Sequence, residues 1–205
     1  RSLGRHKEAY DVLYEATWDD AFSSPAYFQL AEIAAQAGRT AEALGHADRS
    51  LATNALDLEA LNLKAALLRK SGRAEDALQL ASQTASRDLL DFWSRNEIYL
   101  AQQATNRTVE AAETLAALRK LMRDEVNSYL ELAVDYGSFG AWDEALSVLD
   151  RLIRSGNERA SKYPLLYYYA AYASQKRGAA DEAARHFARA AQMPPDYGFP
   201  FQLEM

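Results

Sequence analysis

Three stretches decide the reading: Gly38-Arg39-Thr40-Ala41-Glu42-Ala43-Leu44, Gly72-Arg73-Ala74-Glu75-Asp76-Ala77-Leu78 and Gly140-Ala141-Trp142-Asp143-Glu144-Ala145-Leu146. Each opens on a turn residue, continues with acidic residues suited to the positive end of a helix dipole, and then begins an apolar stripe. Working outward, the turn position recurs every 34 residues, at Gly4, Gly38, Gly72, Asn106 and Gly140, with alanine five residues later at Ala9, Ala43, Ala77, Ala111 and Ala145. A sixth copy, Gly178 with Ala183, follows a four-residue insertion. A fixed period of this length marks an array of repeated units.

Composition bounds the function. The chain has 205 residues, 49% hydrophobic and 25% charged, enough apolar material for a packed core. No apolar run approaches the roughly 18 to 20 residues that span a bilayer, and no signal-peptide pattern opens the sequence. A formal charge of −6 argues against a phosphate backbone as the main partner, since nucleic-acid binding normally needs a concentrated basic face. The absence of cysteine excludes disulfides, thiol catalysis and thiolate metal sites, and fits a reducing compartment; a cytoplasmic location is expected.

The turn-and-alanine pattern covers essentially the whole chain and resembles the tetratricopeptide repeat, or TPR. In that family each repeat is a pair of antiparallel helices, A and B, with small residues where they touch. The resemblance implies an all-α fold, a right-handed α-α superhelix (TPR solenoid) of about five complete helix pairs plus a leading helix B. The expected single array runs over residues 1–205, with repeats near 24–57, 58–91, 92–125, 126–159 and 164–197. Arg1 falls in mid-repeat, Pro195 occupies the family's repeat-closing position, and Gly198 to Met205 would begin another helix A, so the register reads as a fragment of a longer protein. The first complete helix A is expected to start at Ser24-Pro25, since serine before proline suits a helix start.

The inward positions of helix A read Tyr27, Leu30, Ala31 and Ala34 in the first complete repeat, Tyr129, Leu132, Ala133 and Tyr136 in the fourth, and Tyr167, Ala170, Ala171 and Ser174 in the fifth. The third repeat departs from this pattern with Arg95, Ile98, Tyr99 and Gln102, which predicts a local rotation of its helix A or a shift in superhelical twist. Most of the 12 tyrosines are expected in the core, and Trp142 is expected to be structural.

A face rotated about 100° from the packing stripe would line the concave groove, the family's usual ligand surface. Candidate peptide-binding residues on it are Phe28, Asn62, Arg69, Trp93, Asn96, Asn127, Leu130, Tyr168 and Tyr172. Asparagine offers both a donor and an acceptor to an extended backbone, and arginine can grip a carboxylate. The apolar cluster around Tyr168 and Tyr172 could grip a partner, or be covered by Tyr197, Phe199 and Phe201.

One TPR subclass binds chaperone EEVD tails through a lysine, asparagine and arginine clamp. Its lysine position here holds Pro25, Glu59, Trp93, Asn127 and Leu165, and its arginine position Gln29, Leu63, Glu97, Glu131 and Tyr169, so that ligand is not expected. The stretch from Met193 to Glu204, with Ala16-Thr17-Trp18 and the segment from Asn62 to Leu68, is similar to large bacterial proteins in which a β-rich, sugar-epimerase-like domain precedes a TPR array.

No nucleophile elbow, phosphate loop or zinc-helix motif is present, and His6, His46 and His186 lie in separate helix B segments. Carboxylates such as Asp143 with Glu144 and Asp181 with Glu182 sit at helix starts, where the dipole explains them. The sequence therefore predicts no enzyme, cofactor or metal site. It predicts a protein-interaction scaffold binding a peptide or protein segment. The alternative is a support for a carbohydrate-related catalytic domain of the same polypeptide, and self-association through the array ends is a further expectation.

Overall fold

In the computed structural model, which describes residues 6–194, the recurring turn joins one helix end to the next. Gly38, Gly72, Gly140 and Gly178 take φ values of +74°, +85°, +83° and +79°, and Asn106 takes +58°. This left-handed backbone strains a β-carbon, which glycine lacks and asparagine tolerates. It turns the chain back on the finished helix: Gly38 N–H donates to Ala35 O and Arg39 N–H to Ala34 O, both at 2.9 Å. These are the two bonds of a Schellman motif. The same pair recurs at Gly72 and Arg73, Asn106 and Arg107, Gly140 and Ala141, and Gly178 and Ala179. The residue that completes the motif then opens the next helix, since the carbonyls of Arg39, Arg73, Arg107, Ala141 and Ala179 accept from the N–H groups of Ala43, Ala77, Ala111, Ala145 and Ala183. The turn-to-alanine spacing is thus one helix C-terminus fused to one helix N-terminus.

Among the described residues the chain forms α1 (His6–Ala16), α2 (Asp20–Gln36), α3 (Thr40–Thr53), α4 (Leu58–Lys70), α5 (Ala74–Arg87) and α6 (Phe92–Ala104). It continues with α7 (Thr108–Met122), α8 (Val126–Ser138), α9 (Trp142–Ile153), α10 (Pro164–Lys176) and α11 (Ala180–Ala191). Even-numbered helices are the A helices and odd-numbered ones the B helices. None is long and apolar enough to cross a membrane. The expected turn at Gly4, the closing Pro195 and the start of a further helix after Gly198 lie outside the described residues.

The clearest difference from expectation is the start of α2. It begins at Asp20, capped by Asp19, whose carboxylate accepts the Ala21 N–H at 2.9 Å, so Pro25 lies inside the helix. The proline deprives the Ala21 carbonyl of its helical donor, but Ala21 and Pro25 are both exposed and water can satisfy that group.

The chain divides into two compact units, Arg1–Leu121 and Met122–Met205. In the first, α2 packs on α3, α3 on α4, α4 on α5 and α5 on α6. Fully buried alanines at Ala43, Ala47, Ala60, Ala65, Ala66, Ala77, Ala81 and Ala101 let these helices approach to about 8–10 Å. In the second, α8 packs on α9, α9 on α10 and α10 on α11 around Tyr136, Leu149, Leu152, Leu166, Ala170 and Ala171.

Helix α6 buries Trp93, Ser94, Asn96, Glu97 and Ala101, while Arg95, Ile98, Tyr99 and Gln102 keep partial exposure. Its buried stripe of Ser94, Glu97 and Ala101 sits one residue before Arg95, Ile98 and Gln102, equivalent to about 100° of helix rotation. Arg95 is turned outward and donates to the Leu89 carbonyl at 3.1 Å. A charged residue can face inward here because Glu97 meets a guanidinium from the preceding repeat.

Candidate functional site

The first unit uses its A-helix polar side chains to tie repeat to repeat. Asn62 on α4 is buried, and its Nδ2 donates to Asp91 Oδ2 at 2.8 Å. The other Asp91 oxygen caps α6, accepting the N–H groups of Trp93 at 3.1 Å and Ser94 at 3.4 Å. Seven residues along α4, Arg69 grips Glu97: Nε to Oε2 is 2.8 Å and Nη2 to Oε1 is 3.2 Å. This is a bidentate, charge-assisted pair around a carboxylate with no exposed surface. Trp93 and Asn96 are buried on the same helix, and Phe28 on α2 is half-buried. Asn62 and Arg69, which the sequence placed toward a ligand, are therefore occupied inside the unit, because the aspartate that caps the next helix A and a glutamate on that helix reach them.

In the second unit Leu130 is fully buried and belongs to the core, whereas Asn127 is exposed and its Oδ1 accepts from the Tyr163 hydroxyl at 3.3 Å. Tyr168 and Tyr172 stand one turn apart on α10, 39% and 42% exposed. Each has an aromatic support. The Trp142 ring meets Tyr172 edge to face, centroids 5.5 Å apart at 87°, and Phe187 of α11 lies 6.2 Å from Tyr168. Lys176 Nζ sits 5.2 Å from the centre of the Tyr172 ring. Trp142 can occupy its place because residue 137 is glycine: a β-carbon there would lie 2.8 Å from Trp142 Cζ3.

Sequence reasoning named Tyr168 and Tyr172 but missed Phe187. The signal for it was the apolar stripe of Ala180, Ala184, Phe187, Ala188 and Ala191 on α11, all of which are exposed. The expected cover by Tyr197, Phe199 and Phe201 lies outside the described residues.

A second cluster surrounds His46 on α3. The imidazole is buried between two tyrosine rings, Tyr27 of α2 stacked at 6.0 Å and Tyr10 of α1 edge-on at 6.1 Å. The Tyr10 hydroxyl donates to Glu42 Oε1 at 3.0 Å and lies 3.4 Å from His46 Nε2. Arg39 holds the same carboxylate through both oxygens, at 3.0 and 2.9 Å. Burial pushes the His46 pKa below its ordinary value, and the Glu42 carboxylate pulls the other way. Nothing in the local pattern points to this cluster, because Tyr10 and Glu42 lie 32 residues apart. Of the other histidines, His186 is partly buried beside Tyr167, ring centroids 6.3 Å apart, and the His6 side chain lies outside the described residues. Among the described residues no group of three His, Cys, Asp or Glu side chains could hold a metal ion.

No protein-family model matches the chain, and no curated protein matches its sequence. Solved structures do match. A tetratricopeptide repeat protein from Parabacteroides merdae aligns over 98% of this chain and 76% of its own, with 16% identity and a TM-score of 0.57. A thermophilic TPR protein of Thermus thermophilus aligns over 84% of this chain and 92% of its own, with 21% identity and a TM-score of 0.52. At such identities the likeness identifies the architecture: this chain is a helical repeat array with the fold of tetratricopeptide repeat proteins.

Proposed function

We propose that the chain is a non-catalytic scaffold that holds a protein or peptide segment against exposed side chains of its A helices. The observation that carries this reading is the Tyr168 and Tyr172 pair: two large amphipathic rings, one helical turn apart, each propped by a second aromatic ring and each still open to solvent. Tyrosine at such a place supplies large apolar contact area and a hydroxyl at modest entropic cost. Lys176 beside Tyr172 adds a cation that suits a carboxylate on the bound segment. Asn127 in the same unit is exposed and can contribute.

The test is affinity capture from the native cell extract with the chain and with a Tyr168→Ser/Tyr172→Ser variant. Both side chains are substantially exposed, so the variant is expected to keep the parent's circular dichroism and melting. A protein retained by the parent and lost by the variant supports the scaffold. A partner retained equally by both would refute this face. If the retained species proves to be another domain of the same polypeptide, the array is an internal support.

A further inference from the structure

In the first unit, the turns that lead from each helix B to the next helix A carry a row of exposed apolar side chains. Trp18 and Phe22 flank the start of α2, Leu56 precedes α4, and Leu89 and Leu90 precede α6; all five are between 59% and 79% exposed. Single exposed leucines need no explanation, but a row at matching places in consecutive repeats does. Phe22, Leu56 and Leu90 recur at the repeat period of 34 residues. In the second unit the corresponding turns, residues 123–125 and 154–163, carry no exposed large apolar residue among those described.

Hydrogen bonds tie these turns to their neighbours. Arg87 Nη1 donates to the Ala55 carbonyl at 3.2 Å, joining the second turn to the third. Ser24 Oγ and Ser50 Oγ each donate to the other residue's carbonyl, at 3.2 and 2.9 Å, pinning the start of α2 to the end of α3, from which the second turn leaves. Together the five side chains expose an area on the order of several hundred Å², approaching the roughly 800 Å² that one partner contributes to a standard interface.

Backbone bonding narrows the occupant. The N–H groups of Ala21, Leu56 and Leu90 are taken by the side chains of Asp19, Asn54 and Asp88 two residues earlier. The carbonyls of Ala55 and Leu89 are taken by Arg87 and Arg95. The edge thus has few main-chain groups to offer an added strand, and recognition must come from burying side chains. Its charge is acidic: Asp19, Asp20, Asp57, Asp88 and Asp91 lie in or beside the turns, while the two arginines are turned onto the backbone. With strand addition blocked, an amphipathic helix is the element that can present an apolar stripe to such side chains together with charged flanks.

We propose that this edge of the first unit docks an amphipathic α-helix that presents an apolar stripe flanked by lysine or arginine. The binding energy comes from burying the five apolar side chains, and the aspartates select the basic flanks. An anionic membrane surface is disfavoured by the same aspartates, and so is a second copy of the edge.

The probe is a labelled helical peptide of about 18 residues with leucine at every third or fourth position and lysine on the flanks; its twin carries glutamate for lysine. Fluorescence anisotropy is expected to show the lysine peptide binding the full chain at least about tenfold more tightly than the twin, with a blue shift of Trp18 emission that Trp18→Phe abolishes. Leu56→Ser/Leu89→Ser/Leu90→Ser is expected to weaken binding by at least about tenfold while melting like the parent, since these side chains are exposed. The Tyr168→Ser/Tyr172→Ser variant is expected to bind the peptide unchanged, which separates this edge from the α10 face. Equal affinity in the leucine variant, equal binding of the glutamate twin, or no peptide binding overturns the proposal. Capture of phosphatidylcholine vesicles in place of the peptide, or leucine-dependent dimerisation of the chain, overturns it in favour of a membrane or of self-association.

Discussion

Replacing Arg69 by methionine removes the guanidinium that grips Glu97 and leaves the carboxylate inside the protein, where none of its surface is exposed. Removing one member of a buried ion pair costs about 3–5 kcal/mol, mostly the desolvation of the charge left behind. Arg69 itself is 12% exposed, so some water can follow into the gap, and we place the cost near the lower end, at about 3 kcal/mol. For a chain of this size each kcal/mol moves the melting temperature by about 2–4 °C, giving a fall of about 6–12 °C. The Arg69→Met/Glu97→Met double variant removes both charges and fills the space with apolar chain, and it should recover most of that loss. Circular-dichroism melts of parent, both single variants and the double variant at neutral pH form a complete thermodynamic cycle. If Arg69→Met melts within about 2 °C of the parent, or if the double variant falls by the sum of the two singles, the pair does not hold α4 to α6 as described.

Two further outcomes follow from other sites. Burial depresses the His46 pKa, so the folded chain prefers the neutral ring; its stabilisation is complete above about pH 6.5 and is lost as pH falls from there toward the folded value. The parent should therefore lose more melting temperature between about pH 7.5 and pH 5.5 than a His46→Leu variant does, and a ring titration midpoint at or above the ordinary value would overturn this. Gly137→Ala would put a β-carbon 2.8 Å from Trp142 Cζ3, costing about 1–3 kcal/mol and lifting the indole off Tyr172. A red-shifted tryptophan emission is expected, and an unchanged spectrum with unchanged melting would show that the ring has room to give.

The period of turn and alanine was enough to place the helices, because both residues answer to local backbone rules: one needs a left-handed φ and the other a close neighbour. The B helices α3, α5, α7, α9 and α11 each open two residues after the turn residue, at Thr40, Ala74, Thr108, Trp142 and Ala180. At α2, Ser24-Pro25 reads as a start signal, but Asp19 caps the helix earlier and the proline is tolerated one turn inside. The candidate ligand face was harder to read. Position along helix A shows that Asn62, Arg69 and Asn96 share a face, but not that Asp91 and Glu97, 29 and 28 residues further along than Asn62 and Arg69, come within bonding distance. Tyr168 and Tyr172 could be named from their positions on helix A; that Trp142 and Phe187, from neighbouring B helices, meet these two rings shows only once the chain is folded.

The side-chain ties that join repeats have a short sequence reach. Arg69 to Glu97 spans 28 residues, Arg107 to Glu75 spans 32, Arg159 to Glu125 spans 34, and Tyr163 to Asn127 spans 36. A chain held by contacts of this length need not bring distant segments together before it gains stability, so its search is fast and can begin in any repeat. The same economy governs its loss. Under denaturant or tension such an array comes apart by progressive fraying, each helix pair depending on its immediate neighbours, and a weak repeat sets where the break begins.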